Sequence, residues 1–468
     1  MSIHIYNSLT RKKEEFIPLN PPEVNMYTCG VTVYDECHIG HARSLFIFDL
    51  IKRYLAYRGF KVNFVRNITD IDDKIINRAH ELKIGWEELV KKYIERYHED
   101  LNALGIERAE FEPRATENIP DMVKYIEQLI EKGFAYESAG DVYFNVRKFP
   151  DYGKLSGQSI DHMEEGVRIE PTENKKDPLD FALWKKSKEN EPSWESPWGR
   201  GRPGWHIECS VMSRKFLKVD TLDIHAGGRD LIFPHHENEI AQAEALTAKP
   251  FAKYWLHHGL LTINGQKMAK SAGNFVTAKD FLASHKDADI LKIFFLSAHY
   301  SSPIDYSEAK IKSIKQARER IFIVADKIES ELSKERVNSL PREISYGSLK
   351  KIWDRFIAAM DDDFNTPAAL SCMFDLANIT NKSIDVIDFI YNARGIFRQM
   401  FSILGLSLRR QEQITGIIPK EIEQKILERE KARKKKDFAL ADKIRGELEE
   451  MGILLEDGQD GTTWRRKL

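Results

Sequence analysis

The sequence of 468 residues contains little cysteine, no long apolar run and almost no net charge. Four cysteines in so long a chain exclude a disulfide-rich secreted scaffold. No segment approaches the roughly 18 apolar residues that a membrane-spanning helix needs, and the stretch "MSIHIYNSLTRKKEEF" lacks the apolar core of a signal peptide. The formal net charge of −2 creates no overall basic field for nucleic acid, although it is compatible with a local basic patch. A cytoplasmic protein without a membrane partner is therefore expected.

The residues that are present indicate an α/β fold. Residues 26–34 ("MYTCGVTVY") are rich in β-branched and aromatic side chains and predict a buried strand, whereas residues 41–57 have helical periodicity. A further strand is predicted at 61–66, which completes a βαβ unit and implies a parallel sheet. A strand at 221–225, a helix ending near 246 and a strand at 254–263 predict a second half of the same kind.

The chain divides into four predicted regions around this sheet. The predicted fold class is α/β: a Rossmann-type parallel-sheet domain with an insertion, followed by an α-helical bundle and a small C-terminal domain. The sheet domain comprises 1–114 and 201–306, and the insertion, rich in Pro, Gly and Trp, comprises 115–200. Amphipathic segments at 307–332, 347–360, 366–382 and 384–404 predict a bundle over 307–405. The last region, 406–468, contains a charged helix.

The stretch "CHIGH" (37–41) lies between the first strand and its helix. Ligands of such folds bind beyond the carboxyl ends of the strands, where helix N-termini favour anions. His38 and His41 are three residues apart and share one helix face, and Gly40 lets a flat ring or a phosphate approach the backbone. The stretch predicts a nucleotide site, and the alternative is a polar helix cap with incidental histidines.

The stretch "KMAKS" (267–271) lies in a glycine-flanked loop after the last strand of the second half. Lys267 and Lys270 could reach two oxygens of a polyphosphate. Taken on its own, however, the stretch favours the alternative, an exposed loop that happens to contain lysines.

The stretch "FPHHENE" (233–239) offers two metal ligands. His235 and Glu239 are four residues apart and point the same way on a helix, whereas His236 and Glu237 are expected to lie off that face. Cys29, near the carboxyl end of the first strand, and Cys209, just before the second half, can lie over the same sheet edge. Two sulfurs, an imidazole and a carboxylate suit zinc. The alternative is a helix start with ordinary polar caps; Cys37 and Cys372 are expected to be packing thiols.

Together, "HIGH" and "KMAKS" resemble the two signatures of class I aminoacyl-tRNA synthetases. Longer stretches are similar to the cysteinyl-tRNA synthetase family and cover the chain from residue 26 to 466. They are "MYTCGVTVYDECHIGHAR", "RNITDIDDKI", "GRPGWHIECS", "GGRDLIFPHHENE", "MDDDFNTPAAL" and "GTTWRR". Ala269 stands where the family usually has serine in the lysine loop.

This resemblance implies a ligase that activates L-cysteine with ATP and Mg²⁺ and transfers it to the 3′ end of cysteine tRNA. It implies one zinc ion per subunit, selecting the substrate thiol and held by Cys29, Cys209, His235 and Glu239. Gly30, Thr69 and Trp205 are expected around the cysteine, and Gly40 and Lys270 at the ATP. We add Asp230 as a hypothetical ribose contact. His38, His41, Lys267 and Lys270 are the expected catalytic residues.

The resemblance also assigns 406–468 to anticodon binding and favours a monomer. Lys431–Lys436 ("KARKKK") offers phosphate contacts, and Trp464 with Arg465 and Arg466 offers stacking and base-edge donors. A solvated helix face is the alternative for the basic run.

Two other functions are compatible with parts of the pattern. A cysteine ligase acting on a sugar amine shares the zinc, HIGH and lysine-loop residues, but it is expected to lack the tail after about residue 410. A non-catalytic RNA-binding paralogue is expected to have lost signature histidines or lysines, which this chain retains.

Overall fold

The computed structural model describes residues 2–159, 174–268, 273–334, 346–407, 420–434, 437–450, 453–458 and 461–466. The chain separates into two compact units, Met1–Leu408 and Arg409–Leu468. Across the described ranges, every helix is too short or too polar to cross a lipid bilayer.

The described strands follow one another along the chain as short elements of two to ten residues. They are β1 (His4–Asn7), β2 (Lys12–Glu15), β3 (Glu23–Thr32), β4 (Lys61–Thr69), β5 (Ala135–Ser138), β6 (Asp141–Phe144), β7 (Phe181–Lys186), β8 (Gly201–Pro203), β9 (Leu222–Gly228), β10 (Ala252–His258), β11 (Leu261–Ile263), β12 (Gln266–Lys267), β13 (Ile304–Tyr306), β14 (Ile453–Gly458) and β15 (Gly461–Arg466).

The α-helices flank these strands and then form the second half of the chain. They are α1 (Ile39–Tyr57), α2 (Asp73–Leu82), α3 (Trp86–Leu104), α4 (Ile119–Glu131), α5 (Trp205–Leu217), α6 (Glu237–Thr247), α7 (Ala278–His285), α8 (Ala288–Leu296), α9 (Glu308–Lys334), α10 (Gly347–Asp361), α11 (Thr366–Lys382), α12 (Ile387–Ile403), α13 (Lys420–Lys434) and α14 (Phe438–Glu450).

The central sheet is parallel, with strand order β10-β9-β3-β4. From β3 the chain runs outward through α1 to β4, and from β9 it runs outward through α6 to β10 in the opposite direction. Because the two halves diverge between β3 and β9, a crevice opens at the carboxyl ends of these two strands, which is where ligands bind in doubly wound folds. The predicted parallel sheet is confirmed.

Helix α1 is buried along most of its length, since it packs against β4 and β9 on one side and against α8 and α12 on another. This explains why its sequence, "IGHARSLFIFDLIKRYLAY", is apolar on more than one face. The helix that begins with the HIGH stretch is therefore fixed by packing in the core of the first unit.

The insertion forms an antiparallel sheet of order β5-β6-β7-β8 together with α4. Strand β8, at 201–203, pairs with β7, so this sheet extends past the predicted insertion boundary at residue 200. Trp184 on β7 is fully buried beneath it.

The predicted strand over 254–263 is wrong as a single element. Strand β10 ends at His258, and β11 pairs with β12 and β13 in a separate sheet. The interruption is Gly259, where an added Cβ would lie 2.2 Å from the carbonyl oxygen of Ser302. The strand therefore ends where the backbone of Ser302, from another segment, packs directly against it.

The helical bundle consists of α9 to α12, and each helix end lies within one turn of its predicted position. The turn between α10 and α11 connects the bundle to β1 and to the loop before β13, because Asp363 Oδ1 accepts hydrogen bonds from Tyr6 N at 2.8 Å and from Tyr300 Oη at 2.9 Å. Asp361, the last residue of α10, accepts a hydrogen bond from Tyr54 Oη of α1 at 2.6 Å.

The second unit contains α13, α14 and the antiparallel hairpin β14–β15. Its small core is formed by Ile444, Leu448 and Leu455. One charged helix was expected in this region, whereas the described residues form two.

Candidate active site and metal centre

A cleft of about 390 Å³ lies at the carboxyl ends of the central strands. Residues 28–32 of β3, Asn67 and Thr69 of β4, Gly228 of β9 and His258 of β10 line it. These are the strands on either side of the divergence between the two halves, so the fold places the cleft where the sequence pattern predicted a ligand site.

The HIGH stretch forms the N-terminus of α1 at one wall of this cleft. His38 is the cap residue, and its Nδ1 accepts a hydrogen bond from His41 N at 3.1 Å. The two imidazole rings stack with centroids 3.7 Å apart. A Cβ on Gly40 would lie 2.9 Å from the His38 ring, so a larger residue at this position would push the ring out of its observed position.

His41 is a neutral imidazole at physiological pH. Burial, reinforced by the neighbouring His38, lowers the pKa of His41 to about 3. At the cleft it therefore offers a hydrogen bond rather than a positive charge.

Of the two lysines of KMAKS, Lys267 lies within the described residues and Lys270 does not. Lys267, at the end of β12, lines the cleft together with Met268. Lys270 lies outside the described residues, as do Ala269 and Ser271, so the predicted role of Lys270 stays a prediction.

Four potential metal ligands meet at the floor of the cleft: Cys29, Cys209, His235 and Glu239, whose ligand atoms all lie within 4.8 Å of one another. The Sγ atoms of Cys29 and Cys209 are 3.7 Å apart, and Cys209 Sγ is 3.6 Å from His235 Nε2. Glu239 Oε1 lies 3.3 Å from Cys29 Sγ and 2.9 Å from His235 Nε2. All but Cys29 are fully buried, and the half-buried Cys29 borders the cleft with Cys209.

These spacings fit a tetrahedral zinc site. Zinc with Zn–S bonds near 2.3 Å and Zn–N bonds near 2.0 Å separates two sulfurs by about 3.8 Å, and a sulfur from a nitrogen by about 3.5 Å. The two edges between the cysteines and His235 match these values. The edges that end on Glu239 are shorter, as direct hydrogen bonds between these atoms require.

The ligand charges also favour a cation. Burial opposes ionisation of Glu239, but His225 and His235 hold its pKa well below the usual range. Burial would likewise raise the pKa of Cys209, but the hydrogen bond from Cys29 and the proximity of His235 lower it to about 6. Burial raises the pKa of Cys29, which keeps its proton beside the Cys209 thiolate. The cluster therefore contains two desolvated anions, a thiolate and a carboxylate. Burial opposes protonation of His235, but Glu239 and Cys209 raise the pKa of His235 to about 10, so the imidazole carries the compensating positive charge that a metal cation would replace.

The residues predicted around the amino acid border the same cleft as the cysteines: Gly30, Thr69 and Trp205. The Trp205 ring stacks on His235 with centroids 3.9 Å apart, which fixes the orientation of that imidazole. Thr69 Oγ1 donates to Glu208 Oε2 at 2.7 Å. Asp230 lines the cleft on its β9 side. The structure thus brings every described candidate to one cleft, while their individual roles stay predictions.

Sequence reasoning missed Asn67, which supports both the amino-acid side and the metal side of the cleft. Its Oδ1 accepts a hydrogen bond from Gly30 N at 2.8 Å, and its Nδ2 donates to Thr69 Oγ1 at 3.2 Å. The stretch "RNITD" contained the signal, because Asn67 and Thr69 are two residues apart on one strand and therefore point to the same face.

The expectation that His236 lies away from the cluster is wrong. Its Nε2 is 3.3 Å from Cys29 Sγ. The backbone is kinked before α6 begins at Glu237, because Phe233 has extended angles (φ −136°, ψ 134°), so the spacing of a regular helix does not apply there. Glu237 does point away, since its carboxylate accepts a hydrogen bond from Ser156 N of the insertion at 2.8 Å. His225, on β9, was not singled out by the sequence, yet its Nε2 is 2.6 Å from Glu239 Oε2.

Three family models match the chain. The model described as tRNA synthetases class I (C) catalytic domain matches residues 15–316, and a DALR domain matches 355–409. A cysteinyl-tRNA ligase anticodon binding domain matches residues 417–465.

Curated relatives match over the full length. The cysteine–tRNA ligase of Anoxybacillus flavithermus is 50% identical over 473 residues, covering 100% of each chain. The cysteine–tRNA ligase of Geobacillus thermodenitrificans is 50% identical over 470 residues, covering 99% of each.

Solved structures share the fold at low sequence identity. Mycobacterium tuberculosis methionyl-tRNA synthetase in complex with methionyl-adenylate has a TM-score of 0.64 at 14% identity, covering 85% of this chain and 95% of the other. A ternary complex of Agrobacterium radiobacter K84 agnB2 LeuRS, tRNA and LeuAMS has a TM-score of 0.61 at 10% identity, covering 86% of each chain.

Proposed function

This chain belongs to the cysteine–tRNA ligase family of class I aminoacyl-tRNA synthetases, and we propose that a zinc ion at the floor of its cleft selects the thiol of the substrate. The full-length relatives establish the reaction, in which cysteine is joined to tRNA. The observation that carries the proposal is the pair of cysteine sulfurs 3.7 Å apart at the cleft floor, completed by His235 and Glu239.

The chemistry of the ligand set explains why cysteine is distinguished from serine. The two amino acids differ by sulfur in place of oxygen, and a pocket that reads shape alone discriminates poorly between such similar groups. When bound, zinc supplies a Lewis acid that binds a thiolate far more strongly than a neutral hydroxyl. Cys29 and Cys209 hold that acid at the cleft, where their own sulfurs border the space for the substrate.

Other side chains keep the ligands in place. Trp205 covers one face of the His235 ring, and His225 holds the second carboxylate oxygen of Glu239. Thr69 and Asn67 line the cleft together with the cysteines, and we assign them to the polar groups of the amino acid.

Activation of the amino acid needs no protein nucleophile. An oxygen of the cysteine carboxylate attacks the α-phosphorus of ATP, forming a new P–O bond as the bond to pyrophosphate breaks. We assign His38, His41, Lys267 and Lys270 to the charge that develops on the phosphates, with Mg²⁺ accompanying the pyrophosphate. His41, being neutral, contributes a hydrogen bond, and Gly40 leaves room for the nucleotide. Asp230 is assigned to the ribose.

The second unit is proposed to bind the anticodon of cysteine tRNA. Lys431 and Arg433 on α13 are exposed on either side of the buried Ala432, so two cations of the basic run face solvent. The matched anticodon-binding domain sets aside the sugar-amine ligase, and the full-length relatives set aside the non-catalytic paralogue. We expect the protein to act in the cytoplasm as a monomer.

Amino-acid-dependent exchange between ATP and pyrophosphate tests the proposal. We expect exchange with cysteine but not with serine, its loss after zinc is chelated, and its recovery when zinc is returned. A Cys372→Ser variant is the control for loss of a thiol, because Cys372 is buried in the helical bundle. Cysteine exchange that survives verified removal of zinc overturns the selecting role of the metal.

A further inference from the structure

A second set of four ligands lies behind the first. Cys29, His225, His236 and Glu239 also place one ligand atom each within 4.8 Å of the others. We call Cys29, Cys209, His235 and Glu239 the outer set, and Cys29, His225, His236 and Glu239 the inner set. The two sets share Cys29 and Glu239, so a single ion can occupy one or the other.

The shared residues face both ways. Cys29 Sγ lies 3.7 Å from Cys209 Sγ in the outer set and 3.3 Å from His236 Nε2 in the inner set. The two oxygens of Glu239 divide similarly, since Oε1 is 2.9 Å from His235 Nε2 and Oε2 is 2.6 Å from His225 Nε2. Because one carboxylate oxygen faces each set, Glu239 can bind an ion in either position.

Of the two inner histidines, His236 is oriented for a metal rather than merely close to one. His236 Nδ1 pairs with His257 Nε2 at 2.9 Å, which leaves His236 Nε2 directed at the Cys29 sulfur. Metal-bound histidines usually have their other ring nitrogen held in this way. His225 and His236 are fully buried, and Nδ1 of His225 has no hydrogen-bond partner within the described part of the chain.

The two positions differ in access and in ligand type. Both sulfurs of the outer set border the cleft, whereas Cys29 is the inner-set residue that borders it. Zinc in the outer set has two sulfur ligands, and zinc in the inner set has one sulfur and two imidazoles.

Resting on the proposed zinc site, we propose that the inner set is a second zinc position, withdrawn from the substrate, which retains the ion when the outer set is disrupted. Two sulfur ligands instead of one make the outer set the stronger zinc site, so the intact protein keeps zinc there. Loss of Cys209 or His235 leaves the inner set whole, and the ion then moves away from the cleft instead of leaving the protein.

Four variants of the full-length protein test this proposal: Cys209→Ser, His236→Ala, the combination of both, and Cys29→Ser. Zinc per chain is measured after dialysis against a chelator, and X-ray absorption counts the sulfur and imidazole ligands. We expect full zinc with two sulfurs in the unmodified protein and in His236→Ala. Cys209→Ser should retain one zinc per chain, with one sulfur and two imidazoles. The combined variant and Cys29→Ser should bind zinc at least tenfold more weakly than Cys209→Ser.

The outcomes separate this inference from the zinc selector itself. Equal zinc retention by Cys209→Ser and the combined variant, whether high or low, overturns the inner position while leaving the outer site intact. An unmodified protein that binds no zinc, or binds it without two sulfurs, overturns the proposed function as well. Should Cys209→Ser fail to fold, as judged by thermal unfolding, His235→Ala with and without His236→Ala gives the same comparison, because His235 belongs to the outer set alone.

Discussion

Among single residues, Arg43 connects the HIGH helix to the rest of the catalytic domain. Its buried guanidinium donates to the carbonyl oxygens of Gly259 and Ser302, each at 2.7 Å, and of Leu260 and Tyr300, each at 3.1 Å. Burial lowers the pKa of Arg43 to about 10, so the group is still cationic at neutral pH and is stabilised by carbonyl dipoles. Arg43 lies two residues after His41, and this attachment fixes the wall of the cleft.

We expect Arg43→Lys to lower the free energy of unfolding by about 3 kcal/mol, because an ammonium group cannot span acceptors on two separate segments and leaves buried carbonyls without donors. Urea unfolding measures the change. The matched control is Arg96→Lys, whose side chain is 39% exposed beside Glu99 and should change stability by under about 0.5 kcal/mol. Equal effects of the two variants would show that the carbonyl contacts of Arg43 contribute nothing specific.

His258 predicts a dependence of stability on pH. Burial lowers the pKa of His258 to about 4, and its Nδ1 lies 2.9 Å from the oxygen of Gly259, to which the neutral ring donates. The unfolded chain binds this proton at about pH 6.5, whereas the folded chain does not. The contribution of His258 is therefore fully present above pH 6.5 and is lost as the pH falls from there toward 4.

We expect His258→Gln to be less stable than the unmodified protein at pH 7.5 and to lose stability less steeply below pH 6.5. The difference in slope should approach 1.4 kcal/mol per pH unit, the value for one proton. Urea unfolding at several pH values measures it, and comparing the two proteins cancels the other acid-sensitive groups. Parallel curves would mean that His258 takes up its proton while folded.

Among the elements, the bulge in β3 determines where Cys29, the first proposed zinc ligand, lies. The pairing of β3 with β4 shifts between Thr28 and Val31, and Gly30 lies within that shift. A Cβ on Gly30 would lie 1.6 Å from the carbonyl oxygen of Asn67, so no side chain fits unless the strands separate. The neighbouring Cys29 would move with its strand.

Gly30→Ala should therefore reduce zinc content and cysteine-dependent exchange together, by at least tenfold in zinc affinity, because Cys29 moves relative to Cys209. Zinc titration with a competing chelator measures the loss. The control is Gly395→Ala in α12, where an added Cβ meets no atom within 4 Å. This control should raise stability by about 0.5–1 kcal/mol, since alanine favours a helix interior more than glycine does. Unchanged zinc affinity in Gly30→Ala would contradict the close approach of the two strands.

The elements also show what the sequence could and could not predict. The bundle helices and the βαβ units were predictable because their apolar residues repeat with the period of one local structure. The break at Gly259 was not, because it depends on Ser302, a residue distant in sequence that crosses the strand. His236 was misplaced for a similar reason: the backbone kink at Phe233 before α6 has no apolar signature, and the two adjacent histidines that follow it belong to two different ligand sets.

At the scale of the whole molecule, the division after residue 408 separates the cleft from the proposed anticodon unit. The last residues of the first unit are hydrogen-bonded to a helix of the same unit. Lys292 Nζ donates to the oxygen of Gly405 at 2.7 Å, and Ser407 N donates to Asp289 Oδ2 at 2.8 Å. Lys292 and Asp289 both lie on α8, so both hydrogen bonds hold the last residues of the bundle to the first unit. These bonds do not need the second unit.

A chain ending at residue 408 should therefore fold and keep cysteine-dependent ATP–pyrophosphate exchange within about twofold of the full chain. Charging of cysteine tRNA should fall by about 100-fold in kcat/KM, equivalent to about 2.7 kcal/mol of lost tRNA contacts. The control in the full chain is the double substitution Lys431→Glu and Arg433→Glu, which reverses two exposed charges of α13 without removing the unit. We expect it to weaken tRNA charging through KM and to leave exchange unchanged. If the shortened chain charged tRNA as well as the full one, the second unit would have no part in binding tRNA; if exchange were lost with intact zinc, the cleft would depend on residues beyond 408.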